Sequence, residues 1–256
     1  QAQPAPKKKS KAGIIVVVVV GLLVIIGAIT GLFLAFGGSD SDASGNSSVI
    51  TLTVSGESYN IVQIIENNLL KDNSLSGLEF AAGIPGSIGG AAVMNAGAYG
   101  GEICQVCSHV KIMDMQGNMT VLNNEDMRFG YRHSRLEEEA AIVVSADFTL
   151  TRAPAEQIKG RMQELMGKRK NSQPLDMPSA GSAFKRPVGG FAAALIDQNG
   201  LKGFQIGGAA VSTKHAGFVV NLGDATADQV KQLLKDVALK VKESSGVELE
   251  PEVRIW

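Results

Sequence analysis

The glycine-rich run Gly83-Ile-Pro-Gly-Ser-Ile-Gly-Gly-Ala-Ala-Val-Met-Asn-Ala-Gly-Ala-Tyr-Gly-Gly-Glu102 can do chemistry with its backbone alone. Glycine reaches positive φ and carries no Cβ, so successive N–H groups can converge on a bulky anion such as a pyrophosphate. The run lacks the spacing of a dinucleotide fingerprint or a Walker loop, so a phosphate held here belongs to another nucleotide fold. The alternative is a Gly-rich connector through an apolar core. Arg132, in Tyr131-Arg-His-Ser134, offers a planar guanidinium that stays charged and can bind both oxygens of a carboxylate. Ser182 lies in a turn of small residues, Ala180-Gly-Ser-Ala183, that would expose its hydroxyl. A bare serine is a poor acid and needs neighbours that ease loss of its proton. Taken alone, it reads as a turn serine bonded to its own backbone, and Arg132 and Glu252 read as solvated charges or an ion pair.

Cys104 and Cys107 form a Cys-x-x-Cys pair. A zinc site needs about four ligands, and His109, His133 and His215 show no paired spacing to complete one. The pair therefore reads as two ordinary thiols, with a disulfide or thioredoxin-like role as the alternative on an oxidising side of a membrane.

Four motifs in order carry a family resemblance. They are the run from Gly83 to Glu102, Tyr131-Arg-His-Ser134, Pro178-Ser-Ala-Gly-Ser-Ala-Phe-Lys-Arg-Pro187 and Leu249-Glu-Pro-Glu-Val-Arg-Ile-Trp256. Together with Gly207-Gly-Ala-Ala-Val-Ser-Thr-Lys-His-Ala-Gly-Phe-Val-Val-Asn221, they resemble the UDP-N-acetylenolpyruvoylglucosamine reductases (UDP-N-acetylmuramate dehydrogenases) from Leu75 to Trp256. The resemblance implies an FAD-dependent oxidoreductase. It would use NADPH to reduce UDP-N-acetylglucosamine enolpyruvate to UDP-N-acetylmuramate in peptidoglycan precursor synthesis, in the cytoplasm.

Carried over residue by residue, the resemblance makes Ser182 the proton donor, Arg132 the partner of the substrate carboxylate and Glu252 the acidic catalytic residue that stabilises the enol-like intermediate. Gly83, Ile84, Pro85, Gly86, Ser87, Gly89, Gly90, Asn95, Ala96 and Gly97 become the cofactor-binding set. Tyr131, Lys185 and Lys170 become candidates for the substrate's diphosphate or carboxylate. The Phe-Lys-Arg-Pro sequence, where other members read Phe-Lys-Asn-Pro, resembles the subclass without a tyrosine-bearing substrate loop. The family also places a first FAD-binding lobe, with its own glycine-rich loop and a Ser-Asn pair, ahead of Gly83. No such loop lies between Ser39 and Ser74. Residues 1–74 therefore read as a different protein joined to a reductase body, and a second reading is a membrane-anchored, catalytically inactive homologue that binds a nucleotide sugar or a protein.

Composition is that of a globular chain: 256 residues, 45% hydrophobic, net charge −1, with no basic excess for nucleic acid. The exception is the uncharged stretch from Gly13 to Gly38. About 20 apolar residues suffice for a helix to cross a bilayer, and a signal-peptide core is shorter, so this stretch is expected to be a transmembrane helix. Lys7, Lys8, Lys9 and Lys11 before it would stay in the cytoplasm and send Ser39 onwards across, against the location of NADPH and the nucleotide sugar.

The expected organisation is a basic juxtamembrane segment (1–12), the span (13–38), a linker and unassigned segment (39–74), a partial FAD-binding domain (75–155) and a substrate-binding domain with a C-terminal catalytic strand (156–256). The fold class is α+β. Alternation predicts strands over Val49–Val54 and along Ile142, Val144, Ala146, Phe148 and Leu150, and a hairpin about Gln116-Gly-Asn118. Helical spacing predicts a short helix in Tyr59–Leu70, one after Pro154 through Ile158, Met162 and Leu165, and one from Thr226-x-x-Gln229 to Gly246.

Overall fold

The computed structural model describes residues 69–72 and 74–255, and before them the backbone of three strands. The chain forms two compact units, Gln1–Met166 and Gly167–Trp256, each α+β. In the first, β1 (Val16–Val19), β2 (Phe33–Gly38), β3 (Ile50–Ser55), β4 (Leu75–Ser76), β7 (Cys107–Asp114), β8 (Met119–Asn123) and β9 (Ala141–Arg152) form an antiparallel sheet of order β1-β2-β3-β9-β7-β8, with β4 also on β9. The short pair β5 (Gly97–Ala98) and β6 (Gly101–Glu102) stands apart. Among the described residues, the α-helices of this unit are α1 (Leu69–Asp72), α2 (Ile88–Val93) and α3 (Ala155–Ser172), whose last turn enters the second unit.

The expected membrane helix over 13–38 is not formed. Val16–Val19 and Phe33–Gly38 are strands paired with each other, Val16 opposite Phe36, and β2 pairs in turn with β3. Runs of valine and isoleucine are stiff at χ1 and favour the pleated sheet over the helix. No helix among the described residues is long and apolar enough to cross a membrane, and the rest of 13–38 lies outside the described residues. β3 pairs with β9 across six positions, Ile50 with Leu150 through Ser55 with Ser145, so this part of the segment read as a foreign linker belongs to the sheet of the first unit. Most of the expected helix in Tyr59–Leu70 lies outside the described residues; only Leu69 and Leu70 are seen helical.

The hairpin β7–β8 turns where expected. Gly117 is left-handed at φ 87°, and Asp114 Oδ1 accepts the N–H groups of Gln116 and Asn118, each at 2.9 Å. On β9, Ala146, Phe148 and Leu150 are buried as the alternation predicts, but Ile142 is 52% exposed. A bulge is the reason. Lys111 pairs with Ser145 while Ile112 pairs with Val143, so Val144 is an extra residue and the inward face shifts to Val143.

The second unit is a four-stranded antiparallel sheet, β10 (Ser179–Ser182), β13 (Phe218–Asn221), β12 (Ala209–Val211) and β11 (Gln205–Ile206), with helices α4 (Ala192–Gln198) and α5 (Ala227–Ser245). The capping box of α5 forms as predicted. Thr226 Oγ1 accepts Gln229 N–H at 3.3 Å, Gln229 Oε1 accepts Thr226 N–H at 3.1 Å, and Gly246 closes the helix left-handed at φ 72°. Leu233, Leu234, Val237 and Val241 form its buried stripe, in the same apolar cluster as Ile196, Val211 and Leu249.

Candidate active site

The candidate residues fall into two sets, each built inside one unit. In the first, Gly83 to Ser87 turn into α2: Gly83 is left-handed at φ 76°, and Ser87 caps the helix, its Oγ accepting Gly90 N–H at 3.0 Å. That N–H is therefore used by the protein. Pro85 and Gly86 are exposed, and a Cβ built on Gly86 or on left-handed Gly100 would meet nothing within 4 Å. These two glycines leave open space against which a bulky group can lie. Gly89 packs over the bulged strand, where a Cβ would stand 3.5 Å from Val143 Cβ. Gly97 and Gly101 are small because the protein is close: a Cβ on Gly97 would stand 2.7 Å from Glu102 Cγ, and one on Gly101 would strike Phe80. Ile84 is half-buried on the core, and Ala96 N–H binds Ala91 O at 2.9 Å.

Asn95 is buried and left-handed at φ 45°, and its side chain is spent on the protein. Its Nδ2 donates to Glu102 Oε2 at 3.0 Å and Gly130 O at 2.9 Å, and its Oδ1 accepts Cys104 N–H at 2.9 Å. Two more bonds tie the same loops. Ser134 Oγ donates to Val93 O at 2.7 Å, and Arg132 Nη2 donates to Gly97 O at 3.2 Å. The structure thus brings Arg132 to the glycine-rich run. Arg132 is itself left-handed at φ 53° and lies 5.1 Å over the exposed Tyr131 ring. Non-glycine residues in this region cost of order 1–3 kcal/mol each, and such strain collects at functional sites. Ser134 is buried and ties these loops together, a contact that the sequence did not reveal although the residue closes the Tyr-Arg-His-Ser motif.

In the second unit, Ser182 ends β10 opposite Phe218 and is exposed, as the small-residue turn suggested. Its segment runs antiparallel to the C-terminal motif: Glu252 N–H binds Ala183 O at 2.9 Å, Lys185 N–H binds Glu250 O at 2.8 Å, and Phe184 bridges Pro251. Ser182 and Glu252, 70 positions apart in the numbering, are therefore carried on adjacent extended segments. Lys185 Nζ pairs with Glu250 Oε1 at 2.6 Å on the surface, an exposed bond that an anionic ligand can replace. A cavity of about 310 Å³ lies beside β10, lined by Gly181, Ala183, Val219, Val230, Leu234 and Val253 among others; Ser182 is not in its wall. Lys170 is exposed in the last turn of α3, where its carbonyl accepts Lys214 Nζ at 2.7 Å.

Both cysteines are free thiols. Burial, reinforced by the charges of Asp147 and Cys104, pushes the Cys107 thiol up to about 12, and burial also raises Cys104. Neither is a ready thiolate, which fits the reading as ordinary thiols. Among the described residues, no group of three or more His, Cys, Asp or Glu could hold a metal ion. His133 Nδ1 lies 3.1 Å from Glu137 Oε2, and burial holds the His215 imidazole below its ordinary range.

A model for the C-terminal domain of UDP-N-acetylenolpyruvoylglucosamine reductase matches residues 173–256, and one for an FAD binding domain matches residues 59–123. The crystal structure of UDP-N-acetylenolpyruvylglucosamine reductase (MurB) from Thermus caldophilus is similar at a TM-score of 0.67 and 37% identity, over 78% of this chain and 75% of that one. The chain belongs to the UDP-N-acetylenolpyruvoylglucosamine reductase family. The UDP-N-acetylenolpyruvoylglucosamine reductase of Lactococcus lactis subsp. cremoris is 56% identical over 183 residues, 72% of this chain and 61% of the relative. That of Syntrophomonas wolfei is 53% identical over 184 residues, 72% of this chain and 62% of the relative. The chain spans about three fifths of the length of these curated relatives. The FAD-binding match begins at Tyr59, so likeness to a flavin domain reaches into the segment 39–74 in which the sequence showed no reductase motif. Residues 59–74 hold no glycine, and the signal there lies outside the turn chemistry that marks Gly83 to Glu102.

Proposed function

We propose that this chain catalyses the NADPH- and FAD-dependent reduction of UDP-N-acetylglucosamine enolpyruvate to UDP-N-acetylmuramate in peptidoglycan precursor synthesis. The observation that carries the reading is the backbone ladder that sets Ser182 and Glu252 on adjacent segments, in a chain of this family with Arg132 retained. NADPH and a nucleotide sugar as reactants favour a cytoplasmic site of action. Residues 75–155 would contribute to FAD binding, and 156–256 would bind the substrate.

The open space at Gly86 and Gly100 fits FAD, which would lie along Gly83, Ile84, Pro85, Gly86, Ser87, Gly89, Gly90, Asn95, Ala96 and Gly97. Among these, Asn95 would act through its backbone and the loop it holds, since its side chain is committed. When bound, FAD supplies the hydride that it takes from NADPH. Arg132 would hold the enolpyruvyl carboxylate with its fixed fork of donors and stabilise the negative charge that moves onto that side. Ser182 Oγ would deliver the proton to the adjacent carbon, and Glu252 would steady the enol-like state before that transfer. Tyr131, Lys185 and Lys170 would contact the diphosphate or the carboxylate, Lys185 by exchanging Glu250 for the substrate.

The test is the visible absorption of the full chain purified with FAD. A flavin band that bleaches with NADPH and returns with the enolpyruvyl nucleotide sugar is expected. A chain that retains no flavin, or whose reduced flavin ignores that substrate, overturns the reading.

A further inference from the structure

The segment Ser212-Thr-Lys-His215 joins β12 to β13 and has no part in the reaction as proposed. Its turn is firmly held. Ser212 is buried, its Oγ accepts the N–H groups of Lys214 at 3.2 Å and His215 at 3.3 Å, and its own N–H reaches Phe218 O at 2.9 Å. His215 Nδ1 accepts Gly217 N–H at 3.1 Å, and the ring stands edge-on to Phe218. Gly217 is tightly packed, since a Cβ would lie 3.0 Å from the His215 ring and 3.2 Å from Ala193.

From this base Lys214 Nζ reaches Lys170 O at 2.7 Å, across 44 residues of sequence. The far side of the same turn holds the strand of Ser182: Gly217 O accepts Ala183 N–H at 2.8 Å, and Phe218 is the cross-strand partner of Ser182. One turn therefore joins the end of α3 to the Ser182 segment.

The last carbonyls of a helix lack intrahelical partners and carry the negative end of its dipole, so a lysine there is favourable. Capping alone asks only for a donor, however, and the last turn of α3 already bears Arg169 and Lys170. Lys214 sets a second lysine beside Lys170, and the added positive charge favours an anionic ligand there. We propose that Lys214 is a positioning residue: it fixes the last turn of α3, and so Lys170, relative to the Ser182 strand for the diphosphate of a nucleotide sugar. This deepens the function proposed above and rests on it.

The test uses the full chain and its K214M, K214R, K170M and K170M/K214M variants. Steady-state kinetics are expected to show K214M raising KM for the enolpyruvyl nucleotide sugar about tenfold, one good contact's worth, with kcat and KM for NADPH within about twofold. K214R restores KM, and the double variant is no worse than K170M, because both changes remove one arrangement. An unchanged KM in K214M, an additive double variant, or a loss spread equally over kcat and both KM values overturns the proposal. Calorimetric titration with UDP-N-acetylglucosamine separates the two readings. If the wild type binds that sugar but turns nothing over, the function fails while a tenfold weaker K214M sustains Lys214. If wild type and K214M bind it alike, or neither binds it, the Lys214 proposal is overturned.

Discussion

Ser182 is exposed at a strand end, and the chemistry asked of it is a single proton delivery. Replacing it with alanine is expected to lower kcat for the enolpyruvyl nucleotide sugar by about 10²–10⁴, the usual worth of a general acid, while stopped-flow reduction of the flavin by NADPH proceeds at the wild-type rate. Loss of the NADPH half-reaction in that variant would count against the assignment. Cys107 allows a prediction of another kind, about stability alone. Its thiol sits near 12 when folded against an ordinary value of 9.0, so the native state holds the proton where the unfolded chain releases it. This contribution is fully present below pH 9 and is lost as pH rises towards 12, with a slope on the order of 1.4 kcal/mol per pH unit. Urea unfolding of the wild type and Cys107→Ala at pH 8, 9.5 and 10.5 should show the wild type losing stability more steeply by that amount.

At the scale of elements, the glycine-rich loop mixes two uses of glycine. Gly86→Ala fills open space and should weaken FAD retention with little change in melting temperature, whereas Gly97→Ala drives a Cβ into Glu102 and the backbone oxygen of Gly101 and should destabilise the chain by several kcal/mol. Thermal unfolding beside flavin content after gel filtration separates the two; equal behaviour would mean that Gly86 does not face the cofactor. The sequence carried the elements whose cause is local. Gly117 with Asp114 makes the β7–β8 turn, and Thr226 with Gln229 starts α5. It misjudged what depends on partners far along the chain. The bulge at Val144 exists only through pairing with β7, and it turned Ile142 outward. The apolar run 13–38 has the hydropathy of a span in either conformation, and Val16–Val19 and Phe33–Gly38 instead find each other as strands. At the candidate site, the family motifs singled out Arg132 and Ser182, which residue type alone did not, while Ser134 and Lys214 make bonds across 41 and 44 residues that no local pattern encodes.

Over the whole molecule, each unit has an apolar core of its own. Phe148, Leu150, Ile103 and Met127 are among the buried residues of the first, and Leu233, Val237, Val241 and Ile196 of the second. The residues proposed for FAD all lie in the first unit, and Ser182, Glu252, Lys170 and Lys185 all lie in the second. Calorimetric unfolding should therefore respond to FAD and to a mutation in the second core through different transitions. A ligand that binds only the folded state stabilises it by about 2.7 kcal/mol at one hundred times its Kd, so FAD at that excess should raise one transition. Leu233→Ala, which empties a fully buried site on α5, should lower the other by about 2–5 kcal/mol and leave the FAD-linked rise intact. If FAD shifts the transition that Leu233→Ala lowers, by the same amount, the flavin depends on the second unit and the cofactor set drawn from Gly83 to Gly97 is incomplete.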